Sequence, residues 1–348
     1  MGKEVIFSVA GSGKTSYLIE KLNTETRTLI VVYTQANFEN IQKRIIGKFG
    51  YIPPNIACYT YFTFLFSWGI KPFNIINYPP IKRIDFDNKA PQKIPKINPH
   101  YYLYKDSIYH YRLYDFIEEN SLTKKLVSRI ERFFDEVFID EVFIDEVQDY
   151  AGNDFDFLMS LSSSSVLSLT VVGDFYQHIY DTSRNGSKNK NLHKNFEKYR
   201  KRFMRFTPRQ LNVCYRCPEA VCRFISTNLG IHLIHNPDND RQVNYPRLIE
   251  CPQMIKLIIE DDRIPKLVYA NSETFDCWTI TWGKSKGLEY EDVCVVLNKT
   301  TSSLYKQGKL LQLASKTLNK FYVACSRSKG NLYFIEEHHL PKKVTKQL

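Results

Sequence analysis

Residues 5–15 read VIFSVAGSGKT, and this stretch decides the fold. An apolar run that passes through a glycine-rich turn into Lys14 and Thr15 predicts a buried strand, a loop and a helix in that order. The glycines let backbone N–H groups turn inward around an anion, and the positive end of the following helix dipole adds to the attraction. The stretch therefore predicts a loop that binds the phosphate groups of a nucleotide.

The side chains of this loop suit a nucleoside triphosphate that carries a magnesium ion. Lys14 supplies a mobile positive charge for the β- and γ-phosphates, and Thr15 supplies a hydroxyl ligand for Mg²⁺. A purely structural turn is the alternative, but a Lys-Thr pair directly after the glycines favours phosphate binding. The residues predicted to bind ATP here are Ala10, Gly11, Ser12, Gly13, Lys14 and Thr15.

Strands and helices are predicted in alternation along the rest of the chain. The apolar runs that predict further strands lie at residues 28–33, 166–172, 267–269, 293–297 and 332–335. Alternation of this kind is typical of an α/β fold with parallel sheets. Because 348 residues exceed one ordinary domain, we predict two domains, 1–205 and 206–348, with a small insertion at about 68–135 in the first.

An acidic pair, Asp145 and Glu146, follows a short apolar run, which predicts a strand that ends at Asp145. Beside a phosphate loop, this pair suits a Mg²⁺ ligand (Asp145) and a base for the attacking water (Glu146). Residues 135–147 contain a five-residue near-repeat, FIDEV, which a small tandem duplication explains. Because only the last copy continues into Gln148, we expect Asp145 rather than Asp140 to be essential for turnover.

The composition favours a protein that works on a polyanion. The formal net charge is +11 and the isoelectric point is about 9.1, which suits phosphate contacts with nucleic acid, although a basic enzyme without such a partner is the alternative. No signal peptide and no apolar run of about 20 residues are present, so we expect a cytoplasmic protein that does not contact a membrane. The eight cysteines are scattered and predict buried thiols rather than a metal site.

Six strings of residues, in order along nearly the whole chain, resemble the motifs of superfamily 1 helicases of the UvrD/Rep/PcrA branch. The strings are the loop at 10–15, DEVQD at 145–149, VVGDFYQHIY at 171–180, YRCP at 215–218, TWGKSKGLE at 281–289 and FYVACSRSK at 321–329. The resemblance implies two RecA-like P-loop NTPase lobes with parallel sheets and an ATP cleft between them.

The resemblance also implies roles for residues outside the loop. Gln177 would contact the γ-phosphate and couple hydrolysis to movement, and Glu289 would contact the ribose of the nucleotide. Arg216 and Arg327 would act as arginine fingers, a role that suits the planar, permanently charged guanidinium group. ATP and Mg²⁺ are the implied substrate and cofactor.

Further residues of the motif strings are expected to contact nucleic acid, by stacking on bases or by hydrogen bonds to phosphates. They are Tyr33, Thr34, Thr60, Tyr61, Tyr180 and Thr281. For each aromatic residue, packing in the core is the alternative.

The chain departs from the family pattern in ways that bear on activity. The segment before the first strand, which contacts adenine in family members, is short here. Thr182 stands where the family has a base-stacking aromatic residue. Only about 65 residues separate Arg216 from Thr281. We expect an ATP-dependent translocase or helicase on single-stranded DNA, with 3′-to-5′ polarity implied by the resemblance. The alternatives are an RNA-acting motor and a nucleic-acid-sensing ATPase subunit that regulates a partner nuclease, similar to Gabija-type antiviral defence proteins.

Overall fold

The computed structural model describes residues 2–32, 35–73, 75, 78–91, 93–140, 153–177 and 196–343. Strands and helices alternate in these residues and the two larger sheets contain parallel strands, which confirms the predicted α/β fold class. None of the described helices is long and apolar enough to cross a membrane.

The strands of the described residues are β1 (Lys3–Ser8), β2 (Thr28–Val32), β3 (Ile56–Thr60), β4 (Arg83–Asp85), β5 (Leu103–Tyr104), β6 (Ser107–Tyr109), β7 (Glu136–Asp140), β8 (Ser168–Gly173), β9 (Thr207–Leu211), β10 (Val213–Cys214), β11 (Ile234–His235), β12 (Arg247–Leu248), β13 (Lys266–Val268), β14 (Thr279–Thr281), β15 (Val293–Leu297) and β16 (Leu332–Glu336). The α-helices are α1 (Lys14–Lys21), α2 (Gln35–Phe49), α3 (Tyr61–Phe64), α4 (Leu113–Glu119), α5 (Thr123–Phe133), α6 (Asn153–Ser162), α7 (Phe196–Arg202), α8 (Glu219–Leu229), α9 (Pro252–Glu260), α10 (Lys299–Lys306) and α11 (Ser315–Cys325).

Two compact units make up the chain. As far as they are described, the first comprises Met1–Ile6, Thr15–Gly173 and Asp181–Arg209, and the second comprises Phe7–Lys14, Asp174–Tyr180 and Gln210–Leu348. The phosphate loop therefore has its contacts within the second unit, together with the segment that follows β8.

A six-stranded sheet with the order β3-β2-β7-β8-β1-β9 forms the centre of the first unit. Strand β2 is buried along its whole length and pairs in parallel with β3 and β7. Within the predicted insertion, β4, β6 and β5 form a separate three-stranded sheet, and a π-helical segment, Leu65–Ile70, precedes it.

The strand that enters this sheet from the repeat region is β7, which ends at Asp140. In this strand Asp140 lies opposite Val172 of β8, and the strand end predicted at Asp145 stays a prediction. Asp145 and Glu146 lie outside the described residues.

The physical cause of this register is an anchor immediately before β7. The Asp135 N–H donates to the Arg27 carbonyl oxygen (2.9 Å), and the Asp135 carbonyl oxygen accepts from the Ser168 N–H (3.1 Å). The Arg27 guanidinium also donates to both oxygens of the Asp135 carboxylate, at 2.7 and 3.1 Å. Because Asp135 is fixed between two neighbouring strands, the residues that follow it at once, Glu136–Asp140, fill the central position of the sheet.

The second unit is built on an all-parallel sheet with the order β12-β16-β15-β13-β14. Strand β15 is buried along its whole length, as expected for a parallel strand covered on both faces. Trp282, immediately after β14, is fully buried, and its indole N–H donates to the Leu267 carbonyl oxygen at 2.8 Å.

We predict that Trp282→Ala lowers the free energy of unfolding by about 3–5 kcal/mol, because it removes a large buried side chain and leaves a cavity. Trp278→Ala is the matched control. Because Trp278 is 39% exposed, we expect its replacement to lower the free energy of unfolding much less. Urea denaturation followed by far-UV circular dichroism measures both. Equal losses in the two variants would show that Trp282 does not hold the core of the second unit.

Candidate nucleotide site

The phosphate loop, residues 9–15, depends on two glycines with left-handed backbone conformations. Gly11 has φ +68° and Gly13 has φ +75°, values that other residues adopt only with strain. A Cβ atom on Gly11 would lie 2.7 Å from Arg216 Cβ and 3.0 Å from Cys214 Sγ. Glycine is therefore required at position 11 by both backbone conformation and space.

Backbone hydrogen bonds fix the path of the loop against neighbouring segments of the second unit. The Val9 N–H donates to the Leu211 carbonyl oxygen (3.1 Å), and the Tyr215 N–H donates to the Gly11 carbonyl oxygen (2.9 Å). Within the loop, the Ser12 N–H donates to the Val9 carbonyl oxygen (3.2 Å). The loop is thus closed on itself and tied to the chain around Tyr215.

A buried tyrosine hydroxyl joins the loop to the segment after β8. Tyr322 of α11 accepts a hydrogen bond from the Ala10 N–H (2.7 Å) and donates one to Asp174 Oδ2 (3.1 Å). The other carboxylate oxygen, Asp174 Oδ1, accepts from the Tyr176 N–H at 3.1 Å. Tyr322 is fully buried and Asp174 is 3% exposed, and burial together with the Asp174 charge raises the pKa of Tyr322 well above its usual value. The hydroxyl therefore keeps its proton and remains a donor.

Two polar side chains of the loop are buried where phosphates are expected. Lys14 is 7% exposed, and its Nζ donates to the Val9 carbonyl oxygen at 3.3 Å. Ser12 is 5% exposed, and its hydroxyl has no hydrogen-bond partner among the described residues. A buried hydroxyl without a partner is costly, so the loop suits an anion that would accept a hydrogen bond from it.

Arg216 lies beside the loop in an ion-pair cluster. Its Nε donates to Glu289 Oε1 at 2.8 Å, its Nη2 contacts the same oxygen, and its Nη1 donates to the Ser326 carbonyl oxygen at 3.1 Å. Lys329 Nζ lies 3.0 Å from Glu289 Oε2. Burial alone would raise the pKa of Glu289, but the charges of Arg216 and Lys329 lower it, so the carboxylate is ionised. The structure thus brings the predicted arginine finger and the predicted ribose contact together as a pair.

Arg327, by contrast, is a buried cation whose hydrogen-bond partners among the described residues are neutral. It is 1% exposed, and it donates to the Val323 carbonyl oxygen (2.8 Å), the Leu288 carbonyl oxygen (3.3 Å) and Ser326 Oγ (2.8 Å). In the described part of the chain no carboxylate forms an ion pair with it. Burial, and next the nearby Arg216 charge, lower the pKa of Arg327 to about 10, so it is still charged at neutral pH. A buried charge of this kind favours an anionic ligand.

Other predicted site residues have known positions in the fold. Thr15 follows Lys14 at the start of α1. Gln177 ends a 3-10 turn, Phe175–Gln177, in the second unit. Thr281 ends β14, and its Oγ1 accepts from the Lys284 N–H at 3.3 Å. The predicted residues that lie outside the described residues are Tyr33, Thr34, Asp145, Glu146 and Tyr180.

One predicted nucleic-acid contact needs correction. Tyr61 is 1% exposed, so its ring packs in the core of the first unit and offers no face to a base. Thr60 ends β3, and its hydroxyl donates to Thr63 Oγ1 at 2.9 Å. The neighbouring Phe62 ring lies 5.8 Å from that of Phe86, which is 55% exposed.

Three residues of the site, Tyr322, Asp174 and Tyr215, were not predicted from the sequence. Tyr322 and Asp174 lie 148 positions apart, and no spacing in the sequence indicates that they meet. Tyr215 is 58% exposed, and its ring lies 3.7 Å from the position that a Cβ on Gly13 would take. The one feature of the sequence that could have indicated Tyr215 was an aromatic residue within the YRCP string.

A solved structure with a similar fold supports the architecture described above. The chain is similar in fold to the arterivirus nonstructural protein 10 helicase, solved in complex with DNA, with a TM-score of 0.50, 14% identity and coverage of 96% of this chain and 61% of that one. It also matches the PRRSV helicase with a TM-score of 0.44, 14% identity and coverage of 98% and 55%. The chain therefore spans about three fifths of the length of the first of these proteins. No curated protein sequence matches it.

The sequence profile of the viral superfamily 1 RNA helicase core domain matches residues 103–336, more than half of the chain. The match includes the segments that hold Asp174, Arg216, Glu289 and Arg327, and it confirms the prediction of a superfamily 1 helicase. The chain therefore belongs to the family of the viral superfamily 1 RNA helicase core domain.

Proposed function

We propose that this chain hydrolyses ATP with Mg²⁺ and uses the reaction to move along single-stranded nucleic acid. The observation that carries the proposal is the phosphate loop itself. Its path is fixed by the buried Tyr322 hydroxyl, and it shares a unit with the buried Arg327, whose partners in the described residues are neutral. A triphosphate would satisfy the Ser12 hydroxyl and supply the anion that the buried cations favour.

The residues of the loop and the two arginines have different roles toward the nucleotide. Backbone N–H groups of the loop and Lys14 would bind the β- and γ-phosphates, and the Thr15 hydroxyl would hold Mg²⁺, which neutralises charge on the phosphates when bound. Arg327, already desolvated, stabilises the charge that develops on the transferred phosphoryl group. Arg216 reaches the phosphates only if it releases Glu289, and Lys329 remains to neutralise that carboxylate.

The exposed ring of Tyr215 offers a surface for the base of the nucleotide. It lies against the loop at Gly13, and stacking is tolerant of base identity because every base has a π-face. Glu289 remains our proposal for the ribose contact.

Single-stranded DNA is the proposed substrate, with 3′-to-5′ movement and the UvrD-like features that the motif strings imply. RNA is the second candidate, because the matching family is described as an RNA helicase core domain. We propose the two RecA-like lobes as residues 1–205 and 206–348, with Thr60 and Thr281 at the nucleic acid and Gln177 as the link to the γ-phosphate. A partner protein that would make the chain a regulatory subunit gains no support from the described residues.

The register of β7 bears on which carboxylate holds Mg²⁺. Strand β7 ends at Asp140, and in a parallel sheet the residues at the carboxyl ends of the strands form the ligand-binding edge. We propose Asp145 as the Mg²⁺ ligand and Glu146 as the base, as the DEVQD string implies, and Asp140 with Glu141 as the alternative pair because β7 extends to Asp140.

The repeat allows a sharp test of this assignment. We expect Asp145→Ala to lower ATP turnover by about 100-fold, because a metal ligand is lost, and Asp140→Ala to lower it much less. Deletion of residues 141–145 leaves Asp140 followed directly by Glu146 and is expected to retain turnover. Steady-state ATPase assays decide the matter; turnover that survives Asp145→Ala but not Asp140→Ala would move the metal site to Asp140.

The Tyr322 hydroxyl is expected to set the affinity of the loop for ATP. Tyr322→Phe leaves the Ala10 N–H and one Asp174 oxygen without this partner, a loss of about 1–3 kcal/mol. We predict a 10- to 100-fold rise in the KM for ATP with a smaller change in kcat. Tyr305→Phe is the matched control, since the Tyr305 hydroxyl accepts from the Leu248 N–H (3.2 Å) away from the loop. Equal kinetics in the two variants would contradict the role of Tyr322.

The proposed activity itself is tested by ATP turnover with and without single-stranded DNA, duplex DNA and single-stranded RNA. We expect stimulation of at least about 10-fold by single strands, which Lys14→Ala abolishes and the exposed-residue control Lys309→Ala retains. Stronger stimulation by RNA than by DNA would favour the second candidate. Turnover that no nucleic acid changes would rule out an autonomous motor.

A further inference from the structure

We propose that Glu336, His338 and His339 form a binding site for a divalent transition-metal ion of the Zn²⁺ class, separate from the nucleotide site. One ligand atom of each residue lies within 4.8 Å of those of the other two. Two imidazole nitrogens and one carboxylate oxygen are a donor set that Zn²⁺ and its neighbours in the first transition row bind well.

The fold presents these three side chains from one short stretch. Glu336 is the last residue of β16 and lies opposite Leu297 of β15 in the parallel register. The chain then turns through a 3-10 helix, Glu337–His339, which a hydrogen bond from the Leu340 N–H to the Glu337 carbonyl oxygen closes at 3.1 Å. This turn places the two histidine rings side by side, with centroids 4.0 Å apart.

Hydrogen bonds from Ser302 and Lys306 hold the Glu336 carboxylate beside the two histidines. Ligands of a tetrahedral zinc site lie about 3.4 Å apart; since both histidines are exposed, small side-chain rotations bring the three donors to that spacing.

A cavity beside the site leaves room for further ligands. It has a volume of about 670 Å³ and is lined by Glu336 and His338, and also by Lys299, Lys306 and Lys342. Three protein ligands leave a fourth position of a zinc ion for water or an exchangeable anion. The three lysines favour an anion at that position.

Lys306 competes with the metal ion for the carboxylate. Its Nζ lies 3.0 Å from Glu336 Oε1, and an ammonium group so close repels a second cation. Because the Lys306 side chain is 50% exposed, it can turn away into solvent when the metal binds. Removal of the Lys306 amine should therefore increase the affinity for the metal ion. If the Glu336–Lys306 ion pair is purely structural, the affinity should not increase.

The test measures the affinity of untagged protein for Zn²⁺ by competition with a chromophoric chelator, and records the visible spectrum with Co²⁺. Cys251 is exposed and offers a competing thiol, so all variants carry Cys251→Ser. We expect the double substitution His338→Ala with His339→Ala to weaken binding at least 10-fold and to abolish the Co²⁺ spectrum. Lys306→Met should tighten binding several-fold.

His232→Ala is the matched control, because His232 is an exposed histidine of the same unit and is not one of the three proposed ligands. Circular dichroism confirms that each variant is folded. Unchanged Zn²⁺ affinity in the double-histidine variant, an equal loss in His232→Ala, or no gain with Lys306→Met would overturn the proposal. None of these measurements depends on ATP or nucleic acid, so they stand apart from the proposed motor activity.

Discussion

The candidate site depends on one buried hydroxyl. Tyr322 accepts from the Ala10 N–H and donates to Asp174, and it thereby joins the phosphate loop, the segment after β8 and helix α11 within the second unit. Water does not compete for these bonds because both side chains are buried, and hydrogen bonds in such an environment are stronger than in solvent. The shape of the loop is therefore set by the protein before a nucleotide arrives, which is the preorganisation that electrostatic catalysis requires.

Charge around the loop is arranged in two different ways. Arg216 is paired with Glu289 and held beside Lys329, whereas the partners of Arg327 in the described residues are backbone carbonyls and a hydroxyl. The first arrangement is stable without a ligand, and the second favours an anion. This difference motivates our proposal that Arg327 can act on a bound phosphate directly, whereas Arg216 must first exchange one partner for another.

The sequence was sufficient to predict the phosphate loop, the α/β class and the superfamily, because each depends on short local patterns. It could not predict that β7 begins at Glu136, since the FIDEV copies are identical and the contact just before this strand joins Arg27 to Asp135, 108 positions away. Nor could the sequence show whether Tyr61 is buried or exposed, because an aromatic residue at a strand end suits both the core and a base-stacking surface. The Tyr322–Asp174 contact was likewise hidden by distance along the chain.

Hydrogen–deuterium exchange with and without Mg²⁺ and a non-hydrolysable ATP analogue tests most directly whether the second unit holds the nucleotide. Nucleotide binding should slow exchange in peptides that cover residues 7–14 and 321–329 together, because the loop and the Tyr322–Arg327 segment form one network. Peptides of β13, remote in sequence from the loop, should be unchanged. Protection at 7–14 without protection at 321–329, or protection at neither, would contradict the account.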